Sequence, residues 1–257
     1  MMAGTVAINT FREAVRDRVL YNLIFFALAM MAAAVLVGQI TIGIERLVII
    51  NLGLTAISLV GTVMAIFIGV GLVYKEMEKR TLYSLLAKPI RRWEFLVGKF
   101  AGLVLTLAVN TALMTVGLAA ALFYVARAFT RADASILVAV YFILLELALV
   151  TALALFFSCF PTPMLSTLLT LGLFVAGQFS TALREYGRVA HSRVLEVILG
   201  AIYYLLPNFH DFNAMGAVAH GDAIPAALIV RNTLYAFLYI AVVLLGASAI
   251  FANVDLK

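Results

Sequence analysis

The sequence predicts an all-α integral membrane protein with six transmembrane helices. Three observations carry that reading. The chain of 257 residues is 65% hydrophobic and only 12% charged, where a soluble domain has about 45–50% apolar and about 25% charged residues. Six apolar runs recur along it, each near the ~20 residues that carry a helix across a bilayer core. One long polar segment, Tyr74 to Lys99, interrupts them and holds seven of the 18 Lys and Arg residues and three of the 13 acids. A soluble fold of this composition would expose large apolar patches and aggregate.

The same numbers exclude several classes. A net charge of +5, placed in loops between apolar runs, suits anionic headgroups. The basic residues are not interleaved with a soluble recognition fold, so nucleic-acid binding is not expected. Cys159 is the only cysteine, so neither an intrachain disulfide nor a cysteine metal cluster is expected. Polar residues continue to Arg18 with no small-residue cleavage site close after the first apolar run, unlike a cleavable signal peptide.

Residues 3–19 are expected to form an amphipathic interfacial helix. Ile8, Phe11, Val15 and Val19 recur at spacings of three and four and share one face. Thr10, Glu13 and Asp17 fall on the other side, and such a helix lies at the headgroup level. The spans follow at 20–38, 47–73, 100–126, 136–158, 164–183 and 232–252. The second is long enough to tilt. Pro161 and Pro163 make a tight turn between the fourth and fifth, because proline lacks a backbone donor.

Residues 184–231 form an insert before the last span. Its apolar piece, Val194 to Leu206, is too short to cross and carries Glu196, so it is expected as a re-entrant or surface helix. With the N-terminus inside, the short loops place eleven Lys and Arg inside against three outside. Both termini are therefore expected in the cytoplasm and the insert outside. No internal repeat is visible, which removes the inverted-repeat signature of many secondary transporters.

The polar segment 74–99 carries an ordered pattern. Glu76 stands four residues before Arg80, a helix-supporting pair. Leu82, Leu85 and Leu86 give that stretch an apolar side. Pro89 ends it and pushes Lys88 toward extended backbone. Arg91, Arg92 and Trp93 follow, the last an interfacial anchor.

Elsewhere the chemistry is sparse. Glu146 is the one acid in mid-span; at that depth it should face the bundle interior and stay neutral or find a partner. Asn51, Asn110 and Gln178 are candidate partners. A substrate or proton contact and a packing role both remain open for it. His191, His210 and His220 all fall in the late insert with Asp211 and Asp222, at a spacing that matches no metal-ligand set. The chain has no G-x-x-x-x-G-K-[ST] phosphate loop, no H-E-x-x-H and no G-x-S-x-G, so no catalytic residue is expected in it.

Glu76 and Glu78, Arg80-Thr81, Leu85-Leu86, Lys88-Pro89, Arg91-Arg92 and Gly98-Lys99 occur in that order. The order resembles the loop after the second span in permeases of the ABC-2 type ABC transporters. Arg80 stands where those permeases usually carry glycine. The head Thr10 to Tyr21 and the run Tyr204 to Asn208 resemble the same family, so the resemblance covers the whole chain.

It implies a subunit that pairs with a second permease, as a homodimer or with a similar chain. A separate ABC ATPase subunit would hold the ATP and magnesium, and no cofactor belongs to this chain. It also implies that the segment 74–99 is a cytoplasmic coupling helix and loop. Glu76, Glu78, Arg80, Thr81, Leu85, Leu86, Pro89 and Arg92 would then contact the ATPase, with Glu146 as the transport-path candidate. The implied function is ATP-driven export of an amphipathic, lipid-like, drug or glycan cargo across the inner membrane. Two other readings stay open: a proton- or ion-coupled secondary transporter using Glu146, and an ATPase-driven anchor acting on an extracytoplasmic accessory protein, for example in copper-enzyme maturation. Membrane lipid is an expected partner and nucleic acid is not.

Overall fold

The computed structural model describes residues 2–40, 43–78, 92–127, 133–159, 162–189 and 193–253. The helices among them are α1 (Met2–Val15), α2 (Arg18–Ile40), α3 (Glu45–Glu78), α4 (Arg92–Ala126), α5 (Ala134–Phe157), α6 (Pro163–Gln178), α7 (Ser180–Val189), α8 (Arg193–Leu205), α9 (Met215–His220) and α10 (Ala226–Asn253). A 3-10 turn, Phe209–Phe212, lies between α8 and α9. The described residues are all-helical, as the sequence predicts. Five of these helices are long and apolar enough to cross a membrane, and α6 with α7, bent by 51°, supplies a sixth crossing if counted as one.

The six predicted spans differ in what they touch. In α3 and α5, 72% and 78% of the apolar windows are buried, against 22% in α2 and 17% in α10. The central pair is therefore α3 and α5, and the outer helices turn apolar faces outward. Helix α5 is central because it has no polar stripe. Its sequence is apolar all round except for Glu146 and a few hydroxyls, and a helix of that kind is buried. Close approach is possible where α3 carries glycine. A Cβ at Gly61 would stand 2.7 Å from Leu147 Cδ1 of α5.

Hydroxyls inside the bundle bond back one turn along their own helices. Thr106 donates to Gly102 O, Thr151 to Leu147 O and Thr170 to Ser166 O, at 2.7–2.9 Å. This satisfies them without a partner helix. At the end where α3 and α5 begin, Arg46 pairs with Asp133.

Several boundaries depart from the expected ones. The N-terminal helix ends at Val15 rather than 19, closed by Arg16 N to Glu13 O and Asp17 N to Ala14 O. A second side of it is buried in the protein: Thr10 and Ala14 are buried against α4, while Ile8 is 52% exposed and free to meet the headgroup layer. Gly98 and Gly102 permit that contact. A Cβ at Gly98 would stand 2.8 Å from Ala3 O, and one at Gly102 would stand 2.5 Å from Ala7 O.

The fifth run is not one straight helix. It stops at Gln178 and resumes at Ser180 after the bend. Just before the bend Gly177 meets the returning chain, where a Cβ would be 2.4 Å from Pro207 O. In the insert, α8 buries none of its residues, whereas Phe209, Phe212 and Val218 are buried where the chain folds back into the bundle.

Candidate functional site

Two places hold the residues singled out from the sequence. The first is the end of the bundle where α3 and α4 project. These helices have 34 and 35 residues. At 1.5 Å per residue each is about 50 Å long, against a hydrocarbon core of about 30 Å. Each is therefore longer than the core is thick; α3 continues past its apolar stretch, which ends at Leu72, whereas that of α4 begins at Trp93.

Glu76 and Glu78 lie in the last turn of α3, continuous with the second span rather than in a separate short helix. No proline or glycine separates Leu72 from Glu78, so nothing in the local sequence stops the helix there. Arg92 is the first residue of α4. Arg80, Thr81, Leu85, Leu86 and Pro89 lie outside the described residues.

The first turns of α4 are fixed by α1 through Gly98 and Gly102. Between these glycines Lys99 is buried, with Nζ 5.8 Å from the centre of the Phe95 ring. The polar side of α1 stays open and carries Asn9, Arg12, Glu13 and Arg16. The contact with α4 escaped the sequence reading, although the glycine pair four residues apart was a usable signal.

The second place is Glu146, midway along α5 and 3% exposed. Gln178 Nε2 donates to its Oε1 at 2.7 Å. Ser58 of α3 donates from Oγ to Oε2 at 3.5 Å, a long contact. The carboxyl group thus connects three helices, and its nearer partner is the last residue of α6 before the bend. Of the three candidate partners named from sequence, Gln178 is the one in contact. Asn110 instead faces Met64, with Nδ2 3.8 Å from the sulfur. Ser58 was missed because a serine on an apolar helix gives no spacing signal.

The polar contacts continue past the bend. Ser180 Oγ donates to Gly177 O at 2.8 Å and lies 3.0 Å from Asn208 Oδ1. The backbone N–H of Asn208 donates to the Tyr235 hydroxyl of α10 at 2.9 Å. Among the described residues no group of three or more His, Cys, Asp or Glu side chains converges to hold a metal ion. Of the three histidines, His191 lies outside the described residues, and His220 is engaged with Gly216 O at 2.8 Å.

Comparison with the curated proteins finds no match to this chain. The sequence profile described as ABC-2 family transporter protein matches residues 4–256, from the start of α1 to the end of the chain. The match spans nearly the full length, and with it the overlong α3 and α4, the broken fifth crossing and the late insert fall under one family: the chain belongs to the ABC-2 transporter family as its membrane-spanning permease.

Proposed function

We propose that the chain is the permease subunit of an ATP-driven exporter, driven through residues 74–99 by a separate ABC ATPase subunit. The observation that carries this reading is the projection of α3 and α4. Both helices are longer than a hydrocarbon core is thick and border the charged stretch 79–91 in the sequence, and α1 is packed onto the α4 end. A force applied between Glu76 and Arg92 would therefore act on two rigid rods and on α1. Rigid elements of this kind can convert a small displacement at one surface into a rearrangement between two packed states.

In this reading Glu76, Glu78, Arg80, Thr81, Leu85, Leu86, Pro89 and Arg92 meet the ATPase, whose groove would take the leucines while its polar rim meets the charges. The termini and the ATPase lie on the cytoplasmic side of the inner membrane, and the insert lies outside. Two permease chains, as a homodimer or with a similar chain, complete the transporter. The cargo is amphipathic or lipid-like, a drug or a glycan. Glu146 is the polar group at the bend of the fifth crossing, and a path opening there would run past it.

The test begins with the tagged full-length chain isolated from its host in mild detergent. An ATPase subunit should co-purify near one to one. Changing Glu76 and Arg80 together to alanine should then leave insertion intact but separate ATP hydrolysis from transport. An ATPase-free oligomer that moves solute in liposomes would overturn the proposal and favour a secondary transporter using Glu146.

A further inference from the structure

At the end of the bundle where α10 begins, an open cavity of about 270 Å³ lies among Tyr203, Tyr204, Asp211, Arg231 and Tyr235, with Asn208 and Asn232 at its wall. That is slightly smaller than a pocket for a drug-sized molecule, which needs roughly 300–1,000 Å³. Its wall has a defined hydrogen-bonding polarity. The Tyr203 hydroxyl accepts from Asn208 Nδ2 at 3.3 Å, and the Tyr235 hydroxyl accepts from Asn208 N at 2.9 Å. Each therefore keeps its own proton to donate. Asn208 Oδ1 is directed to the Ser180 and Thr181 hydroxyls, at 3.0 and 3.4 Å.

The charges of the cavity are only loosely paired. Arg231 and Asp211 approach to 3.8 Å, with side chains 66% and 39% exposed. That is too long for a hydrogen bond. The guanidinium and the carboxylate thus each keep directions open to a ligand, side by side. Arg184 of α7 lies over the Tyr203 ring at 4.6 Å and over the Tyr204 ring at 5.7 Å.

The setting is interfacial. Arg231 lies in the second turn of α10, so the cavity sits at a membrane end of that helix. Directly along α10 from it run Leu234, Phe237, Leu238 and Leu245, each at least 60% exposed. Tyrosines at one depth above an apolar, outward-turned helix face mark a headgroup layer.

We propose that this cavity binds the headgroup of an aminophospholipid from the leaflet at that end of the bundle. The phosphate accepts from Arg231 and from the hydroxyls of Tyr203 and Tyr235. The ammonium donates to Asp211 and lies against the Tyr235 ring, a favourable place for a cation. The acyl chains follow the exposed side of α10. The primary amine sets the preference: a trimethylated headgroup cannot donate to Asp211, and a glycerol headgroup brings no cation to it. The proposal requires that the chain spans a membrane and is independent of what it exports.

Native mass spectrometry of the purified full-length chain tests this, with equimolar phosphatidylethanolamine, phosphatidylcholine and phosphatidylglycerol of the same acyl composition added in detergent. Wild type should retain the ethanolamine lipid several-fold over the other two. Asp211→Asn should bring the ethanolamine-to-choline ratio to near one. Arg231→Gln should lower retention of both about tenfold, the effect of losing one charged hydrogen bond. Tyr204→Ala removes a 76% exposed ring. It should reduce retention without disturbing the fold, and keeps the test decisive if the charge variants misfold.

An ethanolamine-to-choline ratio near one in wild type, or one unchanged by Asp211→Asn, overturns the proposal. Displacement of the lipid by an equal concentration of soluble phosphoethanolamine also overturns it, and would make the cavity a small-molecule site.

Discussion

Gln178 Nε2 donates to Glu146 Oε1 at 2.7 Å, and Gln178 is the last residue of α6 before the chain turns by 51°. The single acid in the middle of the spans is thereby tied to the position where the fifth crossing breaks. A break in a membrane helix frees backbone groups that must be satisfied by neighbours. Here the neighbours are near: the chain at Pro207 and Asn208 packs against Gly177 and Ser180. Glu146 thus acts as the inner anchor of a joint whose outer anchor is Asn208. Glu146→Leu and Gln178→Leu should each destabilise the protein by about 1–3 kcal/mol, since the first leaves the Gln178 amide without its acceptor and the second leaves the carboxyl group only the long Ser58 contact. The double variant should lose less than the sum, by about 0.6 kcal/mol and up to about 1.7, the range found between membrane helices. Reversible unfolding in mixed micelles measures the cycle, and strict additivity would remove the joint from the account.

The fit of α1 on α4 gives a second prediction. At Gly102 a side chain would enter the space of Ala7 O and of Thr10, whose Cβ would be only 2.7 Å away. Gly102→Val should therefore lift α1 off α4 rather than be absorbed by side-chain movement. Spin labels at Asn9 and Val97, both exposed, would report one narrow distance in the parent and a longer, broader one in the variant. An unchanged distribution would mean that α1 is held by something other than the glycine pair.

These two sites show which parts of the structure the sequence made legible. The spans could be read because hydrophobic length is a one-dimensional property, and the family resemblance could be read because Glu76 to Lys99 keeps its order. Gln178 could be named as a partner of Glu146 only within a set of three, because two residues 32 positions apart share no periodicity. The packing of α1 on α4 went unread for a similar reason. Ile8, Phe11 and Val15 have the greater hydrophobicity, but Ala3, Ala7, Thr10 and Ala14 have the smaller size, and a glycine-bearing partner selects size. The bend at Phe179 left no mark either. Gly172 and Gly177 are the only helix-weakening residues between Met164 and Leu183, and an isolated glycine is tolerated inside a helix; the returning chain at Pro207 is what meets Gly177 at the bend.

The ion pair of Arg46 and Asp133 joins the first turn of α3 to the residue preceding α5. Its side chains are 35% and 11% exposed, so screening leaves it a modest contribution of about 0.2–1 kcal/mol. Its value is in register, because it fixes the ends of the two central helices against each other. Reversing one charge, Asp133→Arg, should lower the melting temperature, and adding Arg46→Asp should recover most of the loss. A double variant as unstable as the single one would show that the site depends on Asp133 through other contacts.

Cys159 makes the orientation measurable. It stands just past the end of α5, half-buried, with Sγ 3.9 Å from Leu155 O, and burial pushes its thiol above the ordinary range. A raised thiol value means less thiolate at neutral pH, and the thiolate is the reactive form. Labelling of the folded parent by a maleimide should therefore be slow at pH 7, rise as the pH is raised past the usual thiol range, and become fast on unfolding. On that quiet background, a cysteine replacing Asp222 should be labelled by an impermeant maleimide from outside intact cells, and one replacing Ser84 only after the cells are opened. The reverse pattern would place the insert in the cytoplasm and residues 74–99 outside. No ATPase could then reach Glu76 and Arg92, and the drive proposed for α3 and α4 would have to be abandoned with the orientation.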